Sequence, residues 1–308
     1  MRQYVIKAND ADMRADRFLR KAAADIPFSA IQKAFRTKNV KRNGKRCPAD
    51  VRLTAGDELR LYVNEPQPES PAYLLYRNAP MPIVVYEDDN ILVLHKPPGL
   101  LSQSNIPLDN SLESSMRTYL LDRGKWNPAE ENVFTPSLCH RLDRGTEGLV
   151  LAAKTAPALR ILTEKIALRE IRKTYRAVVF GTPSPNRGIW RDFLYKDARQ
   201  SLVTVCKGLT KGARTAELEY NTIETRHGLC LLECYLITGR THQIRVQCAH
   251  HGHPILGDGK YGRDNHSGKR HQALCATSLL FNFRTSADFL EYLKGKKFEI
   301  NKGFDDLC

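Results

Sequence analysis

The sequence predicts a mixed helix-and-strand protein in two parts: two short helices followed by a small antiparallel sheet, then a larger strand-rich domain. Three observations predict it. Apolar residues recur at helical spacing between Asp16 and Arg36; Asn43-Gly44 between two short basic runs signals a two-residue hairpin; and from Pro82 onward short apolar runs alternate with turn residues and a few helical stripes. At 308 residues the chain has room for about two domains of ~150 residues each. Hydrophobic residues at 42% and charged residues at 27% allow a real core and exclude a disordered tail.

The first unit spans residues 1–63. Asp16 is placed to cap a helix whose Phe18, Leu19 and Ala22 share one face. Pro27 separates it from a second helix, with Ser29 as cap and Ile31, Ala34 and Phe35 as its apolar side. The Asn43-Gly44 hairpin follows, and Gly56-Asp57 turns the chain into the alternating strand Leu59–Val63. Residues 64–81, with Pro66, Pro68 and Pro71, read as a partly extended linker.

The large domain is expected over 82–300, with 301–308 as a C-terminal tail. Ile83–Tyr86 and Ile91–Leu94 flank the turn Glu87–Asn90 as a hairpin, in which Asp88 and Asp89 are turn chemistry. His95–Leu100 leaves the sheet as a loop, because Pro97 and Pro98 cannot join a ladder. Leu159, Leu162 and Ile166 form a helical core stripe, and Lys173–Phe180 reads as a strand with Tyr175, Ala177 and Val179 on one face.

Charge narrows the function classes. Lys and Arg number 48 against 34 acids, a net +14 with a pI near 9.4, which favours a polyanionic partner, nucleic acid before membrane. Lys33, Arg36, Lys38, Lys41, Arg42, Lys45 and Arg46 fall in one window without an acid, on the second helix and the hairpin after it. Such a surface grips phosphates without reading sequence. No apolar run approaches the ~18 residues of a membrane helix, and Met1–Lys7 has no apolar h-region. The eight cysteines are therefore expected to be reduced thiols in a cytoplasmic protein.

The most informative segment is His140-Arg141-Leu142-Asp143-Arg144-Gly145-Thr146-Glu147-Gly148, a polar loop running into the apolar run Leu149–Ala153. A carboxylate between two guanidiniums lies near charge that favours its ionised form, and a loop anchored on a core strand is where catalytic groups tend to lie. In Ile237-Thr238-Gly239-Arg240-Thr241-His242-Gln243-Ile244-Arg245, Thr241 is a fair cap for a helix ending at Gly252. Ile244 and Cys248 face the core, and a buried Arg245 beside them needs a carboxylate partner, for which Asp143 is chosen.

Other motifs fail on context. Gly257-Asp258-Gly259-Lys260-Tyr261-Gly262 has the G-x-G-x-x-G pattern but does not run from strand to helix. The run Gly262–Arg270 misses a phosphate-binding loop by one residue. Cys230, Cys234, Cys248, His250, His251 and His253 lack usual zinc-ligand spacing and read as buried thiols and a helix-end histidine pair.

The blocks HRLDRGTEGLVLAAK, KTYRAVV and LITGRTHQIRVQCAHHGHPILGDGKYG, preceded by VVYEDDNILVLHKPPGLLSQ, resemble the signature blocks of the RluA-type ribosomal large-subunit pseudouridine synthases. RADRFL, the basic second helix, the V-x-x-N-G turn and GDELRL resemble the αL RNA-binding module named for ribosomal protein S four. Together the likeness covers residues 14 to 283, with Glu147 where the family often has Ser and Gln247 where it often has His.

The resemblance implies an α+β fold: a catalytic domain around a mixed, mainly antiparallel sheet, plus a small N-terminal α/β RNA-binding domain. It implies isomerisation of uridine to pseudouridine with Asp143 as the catalytic aspartate, Arg245 holding it, Tyr175 stacking on the uracil, and Arg141 filling the gap left by the everted base. Arg144 and Arg240 are expected to join the basic N-terminal set on the RNA. The reaction conserves all atoms, so no metal, nucleotide or redox cofactor is expected. The expected partner is ribosomal RNA, and the expected state a monomer. A non-enzymatic RNA-binding role is disfavoured by the joint presence of Asp143, Tyr175 and Arg245; a zinc hydrolase built on His250, His251 and His253 would need metal.

Overall fold

The computed structural model describes residues 1–63, 79–104, 110–197, 202–262 and 270–308. Most of the expected linker, and most of Gly262–Arg270, lie outside these residues.

The N-terminal unit comprises β1 (Arg2–Val5), α1 (Ala15–Ala22), α2 (Phe28–Arg36), β2 (Val40–Arg42), β3 (Lys45–Arg46) and β4 (Glu58–Leu61). Its sheet runs β1-β4-β2-β3, every pair antiparallel. Asn43 (φ 50°) and Gly44 (φ 76°) both sit in the left-handed region, as a type I′ turn requires. Phe18, Leu19, Ile31, Val40, Leu59 and Leu61 are buried together, each contributing roughly 1.5–3 kcal/mol.

Local details differ from the sequence expectation. α1 starts after Arg14, and Asp16 lies in its first turn, bonded to the Arg14 guanidinium at 2.8 Å. α2 starts after Pro27, so Ser29 is inside the helix. In both cases the preceding extended backbone, not a side-chain acceptor, sets the start. β1 carries no turn signal to announce it, and forms because β4 offers it an edge.

The large domain follows with β5 (Ile83–Glu87), β6 (Ile91–Lys96), α3 (Leu112–Asp122), β7 (Ser137–Leu138), β8 (Glu147–Ala153), α4 (Ala156–Ala167), β9 (Ile171–Phe180) and β10 (Arg187–Asp197). It continues through β11 (Leu202–Cys206), β12 (Arg214–Arg226), β13 (Leu229–Leu236), α5 (Gln243–His250), β14 (Leu274–Phe281), β15 (Lys297–Glu299) and α6 (Phe304–Leu307). Among the described residues these strands form an eleven-stranded sheet, ordered β11-β10-β12-β13-β9-β14-β8-β6-β5, with β15 on β14 and β7 on β8. Only β14 and β8 pair in parallel; the other described pairs are antiparallel, so the sheet is mixed and mainly antiparallel.

The apolar run Leu149–Ala153 has a direct cause. Val150 and Ala152 point into a core with Leu112, Met116 and Leu120 of α3, while Leu149, Leu151 and Ala153 point into a second core with Ala158 and Leu162 of α4. A strand covered on both faces needs no polar alternation. Ser111 caps α3 and Thr155 caps α4, each accepting an amide hydrogen from three residues on.

In the β5–β6 turn, Asp88 accepts the amides of Asn90 and Ile91 at 2.8 and 2.9 Å, which is turn chemistry as expected. β6, however, continues through His95 and Lys96, because the chain leaves the ladder only at Pro97. The segment expected as a tail carries α6, whose Phe304 and Leu307 pack into the α3-side core. The two units touch: Asn132 donates to Val5 O (2.8 Å) and Asp10 (2.6 Å), Asn9 donates to Glu131 (2.8 Å), and Val133 packs against the N-terminal core.

Candidate active site

The loop between β7 and β8 carries Asp143 and is pinned from several directions. Ser102 Oγ donates to Leu142 O at 2.8 Å and accepts the Leu142 amide at 3.0 Å. Lys96, fully buried at the end of β6, donates from Nζ to the carbonyls of Pro97 (3.0 Å), Leu100 (2.7 Å) and Arg144 (3.0 Å). Arg144 also exchanges bonds with Gly99, through its amide-facing carbonyl at 2.8 Å and its Nε at 3.0 Å. Gly145 lies so close to Gln272 that a Cβ would sit 2.2 Å from Oε1, while Gln272 Nε2 donates to Thr146 Oγ1 at 3.1 Å. Burial pushes the Lys96 ammonium down to about 8, opposed by the charges of Asp143 and Glu147.

Asp143 Oδ2 accepts from Arg245 Nη1 at 3.1 Å, and the Asp143 side chain keeps 28% exposure. This is the pairing expected from sequence, but it is Arg245's lesser one. Arg245 Nε and Nη2 fork onto Asp258 Oδ2 and Oδ1 at 2.7 and 2.8 Å, and Asp258 is buried. A buried guanidinium has more donors than one carboxylate oxygen accepts, so a second acid completes it. Burial alone would raise the Asp258 carboxyl, yet the Arg245 bonds and the amides of Lys260 and Tyr261 hold it below its usual value. The Arg245 guanidinium loses to burial and gains more from Asp258 and then Asp143, so it stays charged.

Tyr175, on β9, is 5% exposed in the α3-side core. Burial, then the charge of Asp143, then Cys275 push its hydroxyl well above the usual phenol value, keeping it a neutral phenol beside the carboxylate. Asp143, Tyr175 and Arg245, from three separate stretches, therefore share one neighbourhood. Arg141 is exposed two residues before Asp143 on the same loop.

Among the basic set, Lys33, Arg36, Lys38, Lys45 and Arg46 are exposed on α2, the turn after it and the β2–β3 hairpin. Arg42 differs: it pairs with Asp57 at 2.7 Å, an acid outside the acid-free window but adjacent in the sheet. Lys41 lies over the Tyr62 ring at 5.4 Å. Arg240 is exposed, with its Nε tied to Thr215 O at 2.9 Å.

The helix carrying Arg245 is capped by His242, not Thr241, and its last helical residue is His250, two short of Gly252. Gln243 explains the shift: its Oε1 accepts from Arg240 N (3.0 Å) and Thr238 Oγ1 (2.9 Å), which closes the turn before the helix. His242 itself is left-handed, φ 54° and ψ 21°, with Nε2 3.8 Å from Asp143 Oδ2. Asp258, Tyr261, His242 and Lys96 are the neighbours that sequence reasoning missed. Asp258 had one signal, the need of a buried Arg245 for a second acceptor.

The two departures from the family blocks are both engaged. Glu147 pairs with His95 Nε2 (2.9 Å) and Lys302 Nζ (3.0 Å), and Gln247 Nε2 donates to Asp192 at 2.7 Å. Cys230, Cys234 and Cys248 are buried thiols in the α3-side core, and His251 bonds Asp192 at 3.0 Å while stacking on Trp190. Among the described residues no helix is long and apolar enough to cross a membrane.

A mainly antiparallel sheet thus carries a buried arginine that bonds a partly exposed aspartate near a buried tyrosine. Residues 90–250 match the family described as RNA pseudouridylate synthase. Ribosomal large subunit pseudouridine synthase C of Escherichia coli strain K12 is 31% identical over 312 residues, covering 98% of this chain and 92% of the relative. The protein of the same name from Salmonella typhimurium is 34% identical over 261 residues, covering 83% and 78%. The solved structure of human RNA Pseudouridylate Synthase Domain Containing 4 aligns with a TM-score of 0.57 at 20% identity, over 77% of this chain and 92% of that one, which concerns the fold.

The chain belongs to the RNA pseudouridylate synthase family. It isomerises uridine to pseudouridine in RNA.

Proposed function

We propose that the substrate is structured large-subunit ribosomal RNA and that Asp143 is the reacting carboxylate, working without metal or cofactor in a cytoplasmic monomer. The observation that carries this reading is the Asp143–Arg245 contact at 3.1 Å, with Arg245 anchored on a buried Asp258. In the isomerisation the uridine N1–C1′ bond breaks and a C5–C1′ bond forms, while one proton leaves C5 and one is gained at N1. A partly exposed carboxylate held by a guanidinium is suited to attack C1′ or to take a C2′ proton. Tyr175 stacks on the uracil; its raised pKa suits a neutral phenol better than a base. Arg141, exposed on the same loop, fills the space the uridine leaves. Extruding a base costs a few kcal/mol, about the scale that such an insertion and a looped RNA offset.

The N-terminal unit is proposed as an αL module of the S-four type, with Lys33, Arg36, Lys38, Lys45 and Arg46 on phosphates, Lys41 and Arg42 as partly engaged neighbours, and Arg144 and Arg240 closer to the reacting nucleotide. The ribosomal assignment draws support from relatives named as large-subunit pseudouridine synthases. Pseudouridine mapping of ribosomal RNA from cells lacking this protein tests it. Loss of specific large-subunit sites supports the reading, and an unchanged large-subunit map with losses in transfer RNA overturns it.

A further inference from the structure

His242 has features that the roles given above leave unused. It stands in the left-handed region, which a non-glycine residue occupies at a cost and which often marks a functional constraint. Among the described residues its ring is hydrogen-bonded on one side: Nδ1 lies 2.7 Å from the Tyr261 hydroxyl. That hydroxyl already accepts the Val203 amide hydrogen at 3.1 Å. Among the described residues, the acceptor for its own hydrogen is His242 Nδ1. The fully bonded arrangement is therefore Tyr261 O–H to Nδ1, which places the imidazole hydrogen on Nε2. Nε2 faces Asp143 Oδ2 at 3.8 Å, the same oxygen that accepts from Arg245 Nη1.

Tyr261 supports both groups, since the Arg245 guanidinium lies 5.1 Å over its ring. Burial lowers His242 toward the neutral ring; the charge of Asp143 works against this, and Arg245 and Lys260 work with it.

We infer that His242 is a positioning residue of the isomerisation: its Nε2–H and Arg245 together engage Oδ2 of Asp143, leaving Oδ1 as the oxygen presented to the ribose. This rests on the reading of Asp143 as the reacting carboxylate. Contacts of this kind commonly shorten once substrate is bound. The turn Gly257–Gly262, which has the G-x-G-x-x-G pattern without its strand-to-helix context, thereby supplies both supports of the carboxylate, Asp258 through Arg245 and Tyr261 through His242.

The test begins with the full-length wild-type protein labelled with 15N-histidine, its His242 signals located by their loss in His242→Gln. Long-range 15N–1H correlation reports the tautomer. The Nε2–H form is expected, with Tyr261→Phe yielding a tautomer mixture; an Nδ1–H form in the wild type overturns the inference.

Single-turnover rates on saturating RNA give the second readout. Losing one donor to a charged oxygen predicts a rate about tenfold lower in His242→Phe, recovery to within about threefold in His242→Gln, and RNA affinity within about twofold in both. His242→Phe at the wild-type rate, with Asp143→Asn inactive, overturns the inference alone. Turnover by Asp143→Asn overturns the reading of Asp143 and takes the inference with it. Should His242→Phe not fold, the wild-type tautomer decides.

Discussion

Arg245 holds Asp258 with two nitrogens, at 2.7 and 2.8 Å, and spends its third on Asp143 at 3.1 Å. The buried acid fixes the guanidinium, and the guanidinium in turn holds the partly exposed one. Removing either member of the buried pair strands the other. Asp258→Ala and Arg245→Ala should each lower unfolding free energy by roughly 3–5 kcal/mol in urea titrations. The double variant should cost less than the sum, because neither charge is then left alone. Additive losses would contradict the coupling.

Lys96 satisfies three carbonyls that fix the ends of two loops. Lys96→Met keeps much of the volume and none of the donors. It should cost about 2–4 kcal/mol and slow the chemical step, because the carbonyl of Arg144 keeps the Gly99 amide but loses its second anchor. A melting temperature and single-turnover rate equal to wild type would contradict this.

Gly148, the second residue of β8, has φ 124°, and a Cβ there would sit 2.3 Å from the Ala276 carbonyl oxygen and 2.4 Å from its nitrogen. Backbone on β14 cannot step aside without breaking the parallel pairing of Cys275 and Ala276 with Glu147 and Gly148. Gly148→Ala should therefore destabilise by at least ~2 kcal/mol, measurable by thermal unfolding. A neutral substitution would contradict the close approach.

His140 accepts the Leu151 amide on Nε2 at 3.1 Å, and burial, with Lys173 adding to it, pushes its pKa well below the ordinary value of 6.5. Folded protein then binds fewer protons than unfolded chain once pH falls below that value. Stability should be fully present above about pH 6.5 and decline below it, by up to ~1.4 kcal/mol per pH unit for this one proton. His140→Gln retains an acceptor without a titrating ring and should reduce the slope between pH 6.5 and 5. An unchanged slope would contradict the assignment.

The basic surface predicts a salt effect. Replacing Lys33, Arg36, Lys45 and Arg46 with Ala should reduce the slope of log affinity against log salt by roughly three, at ~0.7–0.9 per phosphate contact. An unchanged slope in filter binding would mark these residues as a solvated face.

Legibility followed locality. The Asn43-Gly44 hairpin, the doubly covered Leu149–Ala153 strand and the Asp88 turn were readable because each is set by neighbouring residues. The Asp143–Arg245 contact was readable because a buried arginine demands an acid. Residues closing long-range contacts gave weaker signals or none. Asp258 looked like part of a G-x-G-x-x-G match out of context, Lys96 like the start of a loop, and β1 like a plain terminus. Each acquires its role only when strands distant in sequence meet: β6 beside the Asp143 loop, the Gly257–Gly262 turn beneath α5, and β4 beside β1. The helix caps were misread for a related reason, since Gln243 and Pro27, not the nearest hydroxyl or carboxylate, decide where those helices begin.

The most direct test of the account is pseudouridine formation by Asp143→Asn on RNA that the wild type modifies, followed in a single turnover with RNA binding measured in parallel. Asparagine preserves size and can still meet Arg245 through its carbonyl oxygen, so binding within severalfold of wild type and no detectable pseudouridine is the expected result. Substantial turnover by that variant would contradict the account.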